Sequence, residues 1–250
     1  MRARQPPEVV VSESGQGRRR RYQGLTRRVR HVEWATMPAL VTARQPDAPP
    51  DWFASEHGLA LAMSELPSLH AAISARPGLP WLAFSALSRP SAIDQPHGLW
   101  LRDGGRGWIG DVACGEALPL ASESIGGIIV QHVESDEIEP WLEECVRVLV
   151  PGGRLSVFEL NPLSPYRGHW QGEGVSGREP VTWRRRLKRA GLAPEPVAQG
   201  LGPRWRNRID SELQLGAGAR AAYLLAAEKR RMPMTMKRVP ALGPAVGDAL

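Results

Sequence analysis

LPLASESIGGIIVQHVESDEIEPWLEECVRVLVPGGRLSVFELNPLS, Leu118–Ser164, reads as strand, helix, strand. Gly127–Val133, GIIVQHV, is a short apolar run of the kind that a strand buried on both faces needs. From Glu137 to Val150, apolar residues recur at Ile138, Trp141, Leu142, Cys145, Val146 and Leu149. Steps of three and four make one helical stripe. Pro151-Gly152-Gly153 ends that helix, because proline cannot continue it and glycine supplies the turn dihedrals. Arg154–Leu160 is a second strand. Two strands joined by one helix are most simply a right-handed parallel βαβ unit. The fold class is therefore α/β, and a ligand belongs at the carboxyl ends of its strands.

Outward from this unit, composition sets bounds. The chain has 250 residues and a hydrophobic fraction of 42%, enough for a core. No run of apolar residues is long enough for a membrane helix. Cys114 and Cys145 have no metal-type spacing and read as reduced thiols, and the six histidines form no ligand cluster. The formal charge of +6 is uneven. Residues 1–36 hold nine arginines and three glutamates, whereas residues 37–250 hold 23 basic and 23 acidic residues. The balanced part makes no electrostatic case for nucleic acid; only residues 1–36 do. Lysine numbers three against 29 arginines, which reads as coding bias.

Met1–Thr36 has no sustained apolar period and contains four successive arginines at Arg18–Arg21. It reads as a nucleic-acid or membrane-surface arm, as an arginine-rich transit peptide opposed by Glu8, Glu13 and Glu33, or as a disordered tail read from an upstream start, with Met37 as the natural beginning. With no secretory apolar segment, the expected location is the cytoplasm. Residues 1–50 are expected to be a disordered basic extension and linker, 51–235 one domain, and 236–250 a disordered tail.

Trp52–Ala75 reads as helical, with Ser55 and Gly58 near its start and Pro67 expected to kink or divide it. Trp81–Ser85, Leu99–Arg102 and Trp108–Ala113 are strand candidates. Ser164–Pro180 is polar and glycine-rich, so a loop is expected. Val181–Ala190 is a basic helix capped by Gly191. Pro194 and Pro196 weaken a strand at Ala193–Gln199, and Ala221–Glu228 fits a strand or a short helix.

The series of short strands, the segment Glu116–Leu120, the run ending Gln131-His132-Val133, and RVLVPGG at 147–153 followed by Asn161–Ser164 resemble the class I S-adenosylmethionine-dependent methyltransferases over about residues 51–235. The resemblance implies a Rossmann-like, mostly parallel seven-stranded sheet, order 3-2-1-4-5-7-6, with helices on both faces. Only the last strand, Ala221–Glu228, would run antiparallel, beside Arg154–Leu160. It implies an S-adenosylmethionine-dependent methyltransferase whose acceptor is an unidentified small molecule.

It also implies where the cofactor lies. The turn after the first strand puts Phe84, Ser85 and Ala86 at its methionine end. Asp103, ending the second strand, stands where a carboxylate takes the ribose hydroxyls, although DGG is equally a turn signal. Cys114 and Gly115 stand at the adenine position, and Gln131 ends the fourth strand. Three departures from the family pattern stand out. Phe84–Pro90 contains neither glycine nor acid, Cys114 replaces an acid, and Gly127 replaces an aspartate. A catalytically inactive, methyltransferase-like binding or scaffold protein is therefore the alternative. His132 is the candidate catalytic group, a base at neutral pH or else a histidine bonded to a nearby loop.

Overall fold

In the computed structural model, residues 51–230 are described, apart from Arg106, Glu116 and residues 135–137. The expectations placed on residues 1–50, on the tail from 231 and on Glu116 lie outside the described residues.

The sheet is built on four parallel strands: β1 (Trp81–Ser85), β2 (Gly98–Asp103), β4 (Ile125–Gln131) and β5 (Leu149–Leu160). β3 (Trp108–Gly110) flanks β2, and β6 (Leu192–Pro194), β7 (Gln199–Leu201), β8 (Gln214–Leu215) and β9 (Ala222–Lys229) complete it. The path runs β3-β2-β1-β4-β5-β9-β7-β8, with β6 paired to β9 beside it. β9 is antiparallel to β5, from Arg154 opposite Glu228 to Leu160 opposite Ala222, as expected. The weak strand at Ala193–Gln199 resolves into two pieces, β6 and β7, that pair with successive parts of β9.

Two expectations are corrected: among the described residues the sheet has nine strands rather than seven, and the third strand is not parallel. β3 runs antiparallel to β2, with Asp103 opposite Trp108. Gly104 N–H donates to Gly107 C=O at 2.8 Å and closes a hairpin turn. A parallel third strand needs a crossover of a dozen or more residues, which residues 104–107 cannot supply.

Alternate strand residues face two cores, as a period of two requires. Leu82, Phe84, Ile128, Val130, Leu155 and Val157 pack with α3 (Ile138–Val148) and α4 (Pro180–Arg189). Trp81, Ala83, Ile129, Phe158 and Leu160 pack against α1 (Asp51–Ala54) and α2 (Glu56–Ile73). The stripe of α3 buries Trp141, Leu142, Cys145 and Val148. Its outer residues work as well. Glu144 accepts from Leu118 N–H at 2.9 Å, while Arg147 donates to Leu118 and Leu120 C=O, each at 3.0 Å, and pins the loop before β4.

Helix and strand bounds also differ in detail. β5 begins at Leu149, ahead of Pro151-Gly152-Gly153, which forms an irregularity where the β4–β5 register shifts. The expected loop at Ser164–Pro180 contains a 3₁₀ turn, Pro165–His169. The long N-terminal helix divides at Ser55, not at Pro67. Ser55 takes extended dihedrals and its side chain accepts from Gly58 N–H, capping α2. Pro67 is on the exposed side of α2, where the carbonyl it leaves unpaired can be hydrated. Ser55→Ala should cost about 1 kcal/mol. Pro67→Ala should raise stability by up to about 3 kcal/mol. Urea unfolding of the two variants checks both signs.

Candidate functional site

The strand path reverses between β1 and β4, the switch point at which open α/β sheets hold ligands. A buried polar chain occupies their carboxyl ends. Ser85 Oγ donates to Gln131 Oε1 at 2.8 Å. Gln131 Nε2 donates to Glu65 Oε2 at 2.7 Å. The Glu65 carboxylate meets His132 Nε2 at 3.0 and 3.1 Å. All four residues are buried. Ser85 and Gln131 share the face of Ala83 and Ile129, so they point at α2, which carries Glu65.

His132 lies just past β4. Its φ is +52°, left-handed for a non-glycine residue, and its N–H donates to Phe158 C=O at 2.9 Å. Its ring stacks on Phe53 of α1 with centroids 5.0 Å apart. Nδ1 is buried and has no hydrogen-bond partner. Burial pulls the pKa of His132 down, but the charge and hydrogen bond of Glu65, helped by the charge of Glu159, hold it above the ordinary value.

Glu159 sits on the other face of β5. Trp183 Nε1 donates to it at 2.7 Å, and Arg178 Nη1 stands 3.8 Å away. Burial pushes this carboxyl up to about 7, against the pull of Trp183, His132 and Arg178; the charge of Glu134 adds to the rise. Arg178 belongs to the segment after the 3₁₀ turn and also donates to Val133 C=O at 3.3 Å.

The sequence-derived residues fall into two groups. Ser85, Ala86, Gln131 and His132 meet at the switch point. Asp103, Cys114 and Gly115 gather around Trp108, which pairs with Asp103 on one side and Cys114 on the other. Asp103 is exposed and accepts from Gly105 N–H at 2.7 Å, which makes the turn reading real without removing the carboxylate from solvent. A side chain added at Gly115 would meet nothing, so open space lies over it. The ring of Phe84 is core, edge-on to Trp108 and Trp141 at 4.5 and 4.7 Å.

Residues 86–97, between β1 and β2, contain no helix. The first two amides after β1 are used internally. Ala86 N–H donates to Gln131 C=O and Leu87 N–H to Ser85 Oγ, both at 3.0 Å. Arg89 lies 5.4 Å over the Trp81 ring and bonds Ile93 C=O, while Ile93 is buried.

Sequence reasoning did not single out Glu65, Glu159, Arg178 or Phe53. Glu65 carried a signal: it falls on the stripe Leu61, Glu65, Leu69, Ile73, whose steps of four face the core. Glu159 carried none, because a strand buried on both faces has no polar side. A groove of about 390 Å³ lies apart from this site, between Pro67–Ala75 and β5, and includes the Arg154–Glu195 ion pair. Among the described residues, no group of His, Cys, Asp and Glu could hold a metal ion. No described helix is long and apolar enough to cross a membrane.

Glu159 gives a pH test. A carboxyl raised from 4.5 to about 7 holds its proton more tightly in the fold. Its contribution is complete below about pH 4.5 and is lost as pH rises toward 7. His132, raised above 6.5, has the same sign. The free energy of unfolding should fall by about 2–3 kcal/mol across this range, and Glu159→Gln should remove most of the slope. Denaturant unfolding at several pH values measures it; equal slopes in the two proteins would refute the assignment.

The structure is similar to solved structures of S-adenosylmethionine-dependent methyltransferases. One from Thermotoga maritima, described as a possible histamine N-methyltransferase, is 17% identical, covers 73% of this chain and 99% of its own, and has a TM-score of 0.48. One from Archaeoglobus fulgidus is 12% identical, with 72% and 97% covered and a TM-score of 0.48. One from Aquifex aeolicus is 13% identical, with 74% and 100% covered and a TM-score of 0.47. No protein-family model matches the sequence, and no curated protein matches it. The strand path, with β9 antiparallel between β5 and β7, keeps the order that the resemblance implied, and departs from it in the antiparallel β3 and the added β8.

Proposed function

We propose that the chain is an S-adenosylmethionine-dependent methyltransferase acting on a small molecule. The carrying observation is the buried chain Ser85–Gln131–Glu65–His132 at the switch point of this sheet. Other cofactors of open α/β sheets suit the site less well. A dinucleotide needs free amides and a helix N-terminus for its pyrophosphate. Here no helix follows β1, and the Ala86 and Leu87 amides are already bonded. S-adenosylmethionine has no phosphate and carries a sulfonium cation, which the buried Glu65 carboxylate favours.

Asp103 would take the ribose hydroxyls, and Cys114 and Gly115 would flank the adenine, where space is open. Phe84, Ser85 and Ala86, with Gln131, would border the methionine end. The cofactor supplies an activated methyl group, so the protein has chiefly to align the acceptor and exclude water.

The same bonded amides favour a second reading, a catalytically inactive member of the fold that binds another ligand or a partner. Calorimetric titration of the full-length protein with S-adenosylmethionine and S-adenosylhomocysteine separates the two. Binding is expected, and Asp103→Ala should weaken it about tenfold or more, roughly 1.4 kcal/mol. Unchanged affinity would remove the ribose role, and no heat at millimolar ligand would leave the inactive reading.

A further inference from the structure

His132 bears two costs at one position. A non-glycine residue at φ +52° stores backbone strain. A buried polar atom without a partner, here Nδ1, adds a desolvation cost. The opposite nitrogen is held by Glu65, which is wholly buried. An ionised carboxylate only accepts, so Nε2 carries the hydrogen, and in the neutral ring Nδ1 keeps the lone pair. The ring cannot turn away, because Phe53 stacks on it and the Phe158 carbonyl fixes its backbone.

We propose that His132 Nδ1 is the base that removes the acceptor's proton, that Glu65 is its positioning residue, and that the acceptor is a neutral hydroxyl or amine rather than a carboxylate or thiolate. The inference rests on the methyltransferase reading. As the acceptor's lone pair forms the new bond to the methyl carbon, the sulfur–carbon electron pair stays on sulfur. The O–H or N–H proton passes to Nδ1. The charges of Glu65, from α2, and Glu159, from β5, act on the ring, while those of Arg178, from the segment before α4, and Glu134, just after β4, act on Glu159. The Glu65 carboxylate holds the ring at Nε2, so a proton arriving at Nδ1 makes an imidazolium beside a buried carboxylate. A carboxylate or thiolate acceptor brings no proton and leaves this arrangement without work.

Full-length protein is first titrated with S-adenosylhomocysteine, then given labelled S-adenosylmethionine with phenol, benzylamine, benzoate or thiophenol. Transfer to phenol or benzylamine is expected, with a rate that rises along a basic limb. His132→Asn keeps a residue that tolerates positive φ. It should lower kcat by about a hundredfold or more with KM little changed. Glu65→Gln should move the limb down by about one pH unit. In the unliganded protein, nitrogen NMR of labelled histidine should show His132 as the Nε2–H tautomer. An Nδ1–H tautomer, full kcat in His132→Asn, or no transfer to phenol and benzylamine overturns the base while cofactor binding still stands. Absence of S-adenosylhomocysteine binding removes the methyltransferase reading and the base with it.

Discussion

The carboxylate of Glu65 is the constraint on which this architecture turns. It is fully buried in the middle of α2, where an unpaired charge would cost several kcal/mol. Its position is tolerable only because Gln131 and His132 both reach it from the end of β4. That pairing fixes α2 along and across the sheet. It also aligns Ser85 through Gln131, so one charge organises the ends of β1 and β4 together.

The loop at residues 86–97 follows from the same economy of elements. An ordinary crossover helix would cover β1 and β2. Here Ile93 and the Arg89–Trp81 stack cover them instead, and Trp100 Nε1 bonds Leu87 C=O at 3.0 Å to hold the loop down. A short parallel connection then brings no crossover-helix N-terminus to the end of β1. The site draws its electrostatics from side chains, chiefly Glu65, Glu159 and Arg178.

Much of the fold was legible because it rests on periodicity and breakers. β1, β4, α3 and α4 fall within a few residues of the expected spans, and the resemblance placed β9 beside β5. What failed was strand direction and partnership. Trp108–Gly110 reads as a strand, but only the short Gly104–Gly107 turn shows that it must return antiparallel. Pro67 reads as a break, yet capping at Ser55 decides where the helix starts. At the site, His132, Gln131, Ser85 and Asp103 were visible because strand ends are. Glu65 arrives from a helix far away in sequence; its place on the apolar stripe marks it as buried, but not that it folds over these strand ends.

The two ends of the sheet path are short. β3 contributes three residues and β8 two. An outer strand exposes unpaired amides and carbonyls that can template another chain, and the hazard grows with strand length. At β3 the Trp108 backbone is already bonded to Cys114 in both directions, at 2.7 and 2.8 Å. The described sheet thus offers little backbone at either end of its path for lengthwise growth, which keeps its long, largely apolar central strands from pairing with a second chain.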